Sequence, residues 1–279
     1  MKIEQIRQIG DKILHETPEK VDFKNPKWNL NKVYEQMLAD LEETGGVGVA
    51  ANQSAAYKNP PSMTIVGIPN DKVRKIAQKR YPDEELPDAI VLINPEIINF
   101  SDETYFPKHG EGCLSVMGSL RARVPRHEWI EVRYFDMDGE EHTEVFEGFK
   151  AHVAQHEIDH LNGVVYLEKI FIELSQDQKK AFLSLADNIL EKKEEVEKID
   201  ISPSLTFDRD ESGQIIYNDD NLAKDLAKLS KITLKGMRAR LQYYINNPVA
   251  SEQACSSSFH QSEKKREPGR SGGGPSANL

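Results

Sequence analysis

Apolar residues recur at helical spacing near the start of the chain. Because an α-helix turns once in about 3.6 residues, side chains three and four apart share one face. Residues 30–43 follow this pattern and are predicted to form an amphipathic helix that ends at the glycines Gly46 and Gly48. We expect a loop after it, and this loop carries Gln53. The apolar positions of the helix are Leu30, Val33, Tyr34, Met37, Leu38 and Leu41.

Strand patterns follow this helix. Apolar runs at residues 63–68 and 89–98 predict two strands. Ile130, Val132 and Tyr134 alternate with polar residues, as in a strand with one buried face. This part of the chain is therefore α+β in character.

A hairpin and a helix come next. Asp138 and Gly139 are typical of a hairpin turn, so residues 144–146 are predicted on the returning strand. A helix that carries His156 and His160 is predicted to follow, and Gly163 is its predicted C-terminal stop.

The C-terminal third changes in composition. Ser175 and Gln178 have the spacing of a capping box, which predicts another helix. Residues 208–220 are acidic and rich in turn residues, whereas residues 224–240 interleave basic residues with leucines. Residues 248–279 are rich in Ser and Gly and are predicted to be disordered.

Composition supports one sizeable core with extensions rather than two full domains, since 38% of the 279 residues are hydrophobic. We predict a principal domain at residues 1–172, a C-terminal helix at 173–200, an extra acidic-turn and basic helical extension at 201–247, and the disordered tail after it.

Charge and hydropathy argue against a nucleic-acid-binding body and against a membrane protein. The net charge of −10 argues against binding of nucleic acid, DNA included, by the body of the protein. No apolar run reaches the about 20 residues of a membrane helix, and the first ten residues are mixed and polar, so we expect neither a membrane anchor nor a leader. A reducing cytoplasm is the expected location.

The run QHEIDHLNG, Gln155 to Gly163, carries two imidazoles one helical turn apart. His156 and His160 share a helix face and can bind one metal ion, although a pair of surface or core histidines is the plain alternative. Glu157 is offset by about 100°, so it can address a water on that ion without being a ligand. Catalytic zinc-type sites have three protein ligands and an open position, so a third ligand is needed.

Neither protease continuation of the HExxH helix supplies this ligand. The first class has a third His at the position where this chain has Tyr166. The second class has a Glu about twenty residues after the second His, where residues 178–180 are Gln, Lys and Lys.

The cysteines of the chain suggest that the third ligand lies before the helix in the sequence. Cys255 lies in the polar tail, whereas Cys113 follows Gly112 in the segment EGCLS. A lone cysteine is commonly a small buried apolar residue. The neighbouring glycine allows close backbone approach, however, so Cys113, His156 and His160 can form a tetrahedral site with one open position.

A third segment, GVGVAANQ at residues 46–53, matches the GxGxxA pattern of dinucleotide-binding folds. That pattern follows a strand and begins a helix, whereas this segment follows a helix. We therefore disfavour nucleotide binding and select Gln53 as the candidate functional residue.

Together the three segments resemble the signatures of the peptide deformylase family, GxGxAAxQ, EGCLS and QHExDHLxG, in this order and without a mismatch. The resemblance extends from Ile6 to Ile170. It implies an α+β fold with small antiparallel sheets packed around a central HExxH metal-binding helix, followed by a C-terminal helical extension. It also implies that residues 1–172 hydrolyse the N-formyl group from the initiator methionine of nascent polypeptides and release formate.

The residue types suit this amide chemistry. A Cys/His/His ion lowers the pKa of a water and so offers hydroxide to a carbonyl. The carboxamide of Gln53 and the backbone N–H of Leu114 are candidate donors to the resulting oxyanion. Glu157 is the candidate proton carrier between the water and the leaving amine. Asp159 is interpreted as structural, orienting a histidine or pairing with Arg126.

The resemblance also implies a set of substrate-binding residues. Arg121 aligns with a contact to the substrate backbone, and Val47 and Val153 wall the methionine pocket. Gly48 is also predicted to belong to this substrate-binding set. The plain alternatives are a solvated charge for the arginine and ordinary core for the valines.

The ligand types suit zinc, iron or nickel and do not choose among them. In this family the ion is usually ferrous iron, with nickel or cobalt as active substitutes and zinc generally poorer, so we expect Fe²⁺. Thiolate ligation predicts inactivation by oxidation in air.

N-formylmethionyl nascent peptides are the expected partners. The basic residues at 224–240 suggest transient contact with ribosomal RNA, although a helix that packs on its own domain is the plainer alternative and the one we favour. The rival functions are a general metalloprotease and a metal-bound module without turnover. Retention of Gln53, Glu157 and the three ligands disfavours the second rival.

Overall fold

A computed structural model of the protein describes residues 5–192, apart from positions 117 and 119, and residues 204–247. The predicted tail and the end of the predicted 173–200 helix lie outside the described residues. No helix in the described part of the chain is both long and apolar enough to cross a membrane. The α-helices there are α1 (Leu30–Thr44), α2 (Asp71–Arg80), α3 (Gly148–Leu161), α4 (Tyr166–Glu173), α5 (Gln176–Lys192), α6 (Asp219–Lys228) and α7 (Lys231–Asn246). The strands are β1 (Gly48–Ala50), β2 (Met63–Val66), β3 (Ile90–Phe100), β4 (Thr104–Tyr105), β5 (Leu120–Ala122), β6 (Arg126–His127), β7 (Trp129–Phe135), β8 (Glu141–Glu147), β9 (Ser204–Arg209) and β10 (Ile215–Ile216).

Five strands form the main sheet, in the order β1-β2-β3-β7-β8, and every neighbouring pair is antiparallel. The predicted hairpin is confirmed, because Trp129 of β7 lies opposite Glu147 of β8 and Phe135 lies opposite Glu141. Gly139 in the turn has a φ of +83°, a left-handed conformation that glycine adopts without steric cost. The predicted α+β class is thus confirmed.

Helix α3, which carries the two histidines, is enclosed by the rest of the fold. Residues 151–161 are all buried. Ala151, Ala154 and Ile158 belong to a hydrophobic cluster with residues of the main sheet. The helix ends at residue 161, and Gly163 follows with a φ of +76°, as expected for a helix stop. Burial of α3 places the histidine motif inside the protein rather than on its surface.

The segment after α1 is more ordered than the predicted loop. Gly45, and not the later glycines, ends α1: it has a φ of 65° and donates its N–H to Leu41 O. Strand β1 then pairs with β2, with Gly48 opposite Val66, and a 3-10 turn follows at Ala51–Gln53. Pairing with β2 satisfies backbone groups that a loop would leave to solvent. It also fixes the position of Gln53 relative to the sheet.

A second sheet joins the C-terminal extension to the body. Its strand order is β10-β9-β5, and β9 pairs with β5 in parallel, with Arg121 opposite Leu205. This pair departs from the expected antiparallel sheets. Parallel neighbours require a long crossover connection, and here α3, α4 and α5 all lie between the two strands in the chain.

The basic stretch predicted at residues 224–240 forms two helices rather than one. Ser230 separates them because its Oγ accepts the N–H of Thr233 and caps α7. The predicted capping box of α5 is confirmed, since Ser175 and Gln178 exchange both of its hydrogen bonds. The domain boundaries at residues 172 and 200 stay a prediction, but one hydrophobic cluster crosses them. Its members include Phe171, Phe182, Phe207, Leu226, Met237 and Leu241.

Candidate active site

A cleft of about 100 Å³ opens between β1, α3 and the loop before β5. Nine of the ten residues predicted from sequence to form the site line this cleft. The tenth, His160, has no exposed surface and lies behind Cys113, with Nε2 3.1 Å from Sγ. The nine lining residues are Val47, Gly48, Gln53, Cys113, Leu114, Arg121, Val153, His156 and Glu157.

Cys113, His156 and His160 present one donor atom each within 4.8 Å of one another. The two imidazoles come from successive turns of α3, with ring centroids 4.9 Å apart and planes at 79°. Burial holds the pKa of His160 well below its usual range, so the ring stays in the neutral form that binds metals. One thiol and two imidazoles form the donor set of a three-ligand catalytic site. The residues therefore fit a divalent transition-metal ion.

Glu111 orients one of these imidazoles. Its Oε1 lies 2.5 Å from Nδ1 of His156, so Nε2 is the ring atom that could bind a metal. Arg126 donates to both oxygens of Glu111, at 3.0 and 2.6 Å, and also to Asp159 at 2.5 Å. Burial alone would raise the pKa of Glu111, but the charge of Arg126 and the interactions with His152 and His156 outweigh it and hold the pKa well below its usual range. The expected pairing of Asp159 with Arg126 is confirmed.

Glu157 lies beside the two histidines and packs directly on β1. It is 3% exposed, and burial raises its pKa to about 7. A Cβ on Gly48 would lie only 2.6 Å from Oε1 of Glu157 and 2.9 Å from Cγ1 of Val153. The absence of a side chain at Gly48 therefore makes room for the carboxylate.

Gln53 approaches the thiol from the opposite wall. Its Oε1 accepts the N–H of Ala50 at 2.8 Å. This contact turns Nε2 towards Ser115 Oγ at 3.2 Å and Cys113 Sγ at 3.6 Å. Leu114 lies between these two residues and lines the cleft. An amide donor and the Leu114 main chain thus flank the thiol.

Arg121 lies at the rim of the cleft and is only 6% exposed. Its Nε and Nη2 donate to the carbonyls of His109 and Gly110 at 2.7 and 2.8 Å. The guanidinium also stacks over the ring of Tyr81, at 4.7 Å from its centroid. The alternative of a solvated charge is therefore wrong, because this side chain is held in place from several sides.

Sequence reasoning assigned no role to Glu111 or His152. His152 lines the cleft and lies 3.3 Å from Glu111. Burial lowers the pKa of His152 to about 3, so its ring is neutral. The available signal was its spacing, since His152 precedes His156 by one helical turn on the same face.

A family model described as polypeptide deformylase matches residues 3–176, more than half of the chain. The chain belongs to the peptide deformylase family. The expectation from the three signature motifs is confirmed, and the activity of the chain is removal of the N-formyl group from nascent peptides. Strands β9 and β10 and helices α6 and α7 all lie beyond the matched residues.

Relatives and a solved structure agree with this assignment. The peptide deformylase of Leptospira biflexa is 36% identical over 174 residues, 61% of this chain and 89% of that relative. The peptide deformylase of Ligilactobacillus salivarius is 39% identical over 125 residues, 45% of this chain and 61% of the relative. A Met-Ala-Ser-bound crystal structure of a class I type b peptide deformylase from Acinetobacter baumannii superposes with a TM-score of 0.50 at 36% identity. It covers 58% of this chain and 95% of that one.

Proposed function

We propose that this peptide deformylase holds one divalent ion on Cys113, His156 and His160. The observation that carries the proposal is the convergence of one sulfur and two imidazole nitrogens within 4.8 Å, in a cleft that also contains Glu157 and Gln53. When bound, the ion supplies Lewis acidity and lowers the pKa of a water in its open position.

The surrounding groups handle the proton and the developing negative charge. Glu157 takes the proton of the attacking water and returns it to the leaving amine, and a pKa of about 7 suits both transfers near neutral pH. Nε2 of Gln53 and the backbone N–H of Leu114 donate to the formyl oxygen as it becomes an oxyanion. Both donors are held in place before the reaction, so they need little reorganisation as the oxyanion forms.

Four further residues bind the substrate in this proposal. Val47 and Val153 form apolar wall for the methionine side chain, and Gly48 leaves space beside the reacting group. Arg121 orients the peptide backbone, supported by its placement at the cleft rim. Their contribution is expected in the KM for formylated peptides rather than in proton transfer.

We assign Fe²⁺ as the native ion, with nickel, cobalt or zinc able to occupy the same ligands. The mixed sulfur and nitrogen donor set supports such a transition metal over magnesium or calcium. Metal analysis of protein purified without oxygen tests the assignment. Iron at about one equivalent is expected, and stoichiometric zinc with full activity would overturn it.

The proposal also includes a cytoplasmic location and transient contact with the ribosome. Lys235 of α7 is exposed and could meet RNA, but Arg238 pairs with Asp187, and Arg240 pairs with Glu168. These ion pairs favour the plainer alternative of a helix that packs on its own domain. Replacing Lys235 with Glu in the full chain tests the contact by ribosome co-sedimentation. Unchanged binding would end the ribosome proposal.

The deciding assay compares formyl-Met-Ala-Ser with its acetylated analogue and with an internal-peptide substrate, without oxygen. The Acinetobacter baumannii relative binds Met-Ala-Ser, which supports the choice of this tripeptide. Formate release from the formylated peptide alone is expected. Cleavage of the internal bond without formate release would favour the general metalloprotease.

Two variants separate the proposed roles. Glu157→Ala is expected to lower kcat by about 10²–10⁴, the usual contribution of a general acid–base group, while the protein keeps its ion. Cys113→Ser is expected to lose both the bound metal and the activity. Full turnover by Glu157→Ala would refute its role as the proton carrier.

A further inference from the structure

The C-terminal extension reaches the active-site loop through a short chain of hydrogen bonds that begins at buried side chains. Thr233 of α7 donates its hydroxyl to Oε1 of Gln8 at 2.9 Å. Nε2 of Gln8 donates in turn to the carbonyl of Leu114 at 3.1 Å and to that of Ile6 at 3.1 Å. Thr233 is 0% and Gln8 5% exposed. The chain therefore runs through the interior, from a helix beyond the family match to the residue next to Cys113.

A main-chain contact supports the same connection. Ile9 donates its N–H to the carbonyl of Ser115 at 2.8 Å. On its other side the Ile9–Gly10 backbone lies against Gly236 of α7, so closely that a Cβ on Gly10 would lie 2.5 Å from Gly236 Cα. The N-terminal segment is thus held between α7 and the loop that carries Leu114 and Ser115.

The far end of the same loop also touches the extension. A Cβ on Gly118, which lines the cleft, would collide with the side chain of Leu229 at the end of α6. Leu205 of β9 lies opposite Arg121 of β5 in the parallel pair. The extension therefore contacts Gly118 and Arg121 directly, and it reaches Leu114 through Gln8.

We propose that Thr233 is a positioning residue for deformylation, acting through Gln8 on Leu114. Two carbonyls already orient the Gln8 amide so that its Nε2 faces them, and the Thr233 hydroxyl completes this orientation at Oε1. Holding the carbonyl of Leu114 fixes the residue whose N–H is the oxyanion donor. The inference rests on the proposed function because it takes the N–H of Leu114 as an oxyanion donor.

The expected effect follows from the stage at which Leu114 acts. An oxyanion donor contributes in the transition state rather than in substrate binding, so its misplacement lowers kcat and leaves KM nearly unchanged. Loss of a complete donor costs about 10²–10³ in kcat. A donor that is loosened but still present should cost less, about tenfold.

Thr233→Val tests the proposal because it removes the hydroxyl and keeps the shape of the side chain. We expect kcat for formyl-Met-Ala-Ser to fall about tenfold with KM within about twofold. Thr233→Ser retains the hydroxyl and should restore kcat to within about twofold. Hydrogen exchange of the amides in residues 110–116 should be faster in Thr233→Val than in Thr233→Ser.

Thr206→Val is the matched control within the extension. The Thr206 hydroxyl is also buried and donates to Asp225 at 2.7 Å, on the β9–α6 side. Its removal should lower the melting temperature without lowering kcat. An equal loss of kcat in Thr206→Val would show that general loosening of the extension, rather than the Thr233 chain, affects the reaction, and would overturn the proposal.

Unchanged kcat and unchanged exchange in Thr233→Val would equally overturn it. If Thr233→Val does not fold, Gln8→Met interrupts the same chain at similar side-chain length and carries the same expectations. Absence of formate release by the unaltered protein would refute the proposed function instead. The exchange comparison needs no turnover and would still decide whether Thr233 holds the loop.

Discussion

Gly236 should not tolerate alanine, although it lies in the middle of helix α7. A Cβ on Gly236 would collide with the carbonyl oxygen of Ile9 and lie 2.5 Å from its carbonyl carbon. Both obstacles are backbone atoms, so no side-chain rotation relieves the overlap. Gly236→Ala must therefore move α7 away from the Ile9–Gly10 segment.

The size of the effect follows from this displacement. Real Cβ atoms essentially never come closer than 3.0 Å to another heavy atom. The carbonyl carbon therefore requires a shift of at least about 0.5 Å, and the carbonyl oxygen, which lies closer, requires more. Even a gap of about 0.5 Å forfeits about a quarter of each dispersion contact. Leu234, Met237 and Leu241 of α7 are fully buried and would lose such contacts.

Two opposing contributions set the net free energy. Overpacking of this kind costs about 1–3 kcal/mol, and a rigid backbone obstacle places it near the upper value. Alanine returns about 1 kcal/mol of helix propensity over glycine. We expect a net loss of about 2 kcal/mol, which corresponds to a fall in Tm of about 4–8 °C for a protein of this size.

Urea and thermal unfolding of the full chain measure this loss. Lys235→Ala, at the neighbouring exposed position of the same helix, is the matched control and should change stability by no more than about 0.5 kcal/mol. Helix propensity by itself predicts the opposite sign for Gly236→Ala. A variant as stable as the unaltered protein, or more stable, would refute the close packing of α7 against Ile9.

Three further predictions concern the cleft and acid stability. Gly48→Ala crowds the Glu157 carboxylate and should lower kcat by about tenfold to a hundredfold, with little loss of fold stability; unchanged formate release would contradict the placement of Glu157. Removal of the ion by a chelator should lower the unfolding free energy by about 3–4 kcal/mol at metal concentrations of 100–1,000 Kd, and Cys113→Ser should respond much less. Burial would raise the pKa of Glu168, but His15 and the other partners hold it below its usual 4.5. The stability that this carboxylate contributes is therefore present above pH 4.5 and is lost as pH falls through the lower folded-state value. Glu168→Gln should flatten this acid dependence, and parallel acid-unfolding curves would reject the reasoning.

The cluster of Cys113, His156 and His160 could be predicted from sequence because local patterns point to all three residues. Helical periodicity alone puts His156 and His160 on one face, and a signature motif brings in Cys113. Glu111 stands two residues before the thiol, yet its role depends on partners 15 and 45 residues away. No local pattern reports such a pairing, since it arises only when β6 and α3 pack against the loop.

The C-terminal extension shows the same limit more strongly. Parallel strands such as β5 and β9 are not joined by a short turn, so no turn residues mark them as a pair. Sequence patterns also do not show which strand β9 pairs with, or whether the pairing is parallel. The basic residues at 224–240 left RNA contact open beside the favoured packing helix, and Arg240 lies against the fully buried Glu168 and the ring of Tyr244.

These buried partners change what a truncation experiment would measure. Removing α7 would leave Glu168 without the guanidinium of Arg240, and loss of one partner of a buried ion pair costs about 3–5 kcal/mol. It would also uncover apolar side chains of α4 and α5 that share a cluster with Met237 and Leu241. A truncated chain that fails to bind ribosomes would therefore report loss of folding. Charge substitution at exposed Lys235, which preserves the core, is the experiment that separates an RNA contact from the support that α7 gives to the fold.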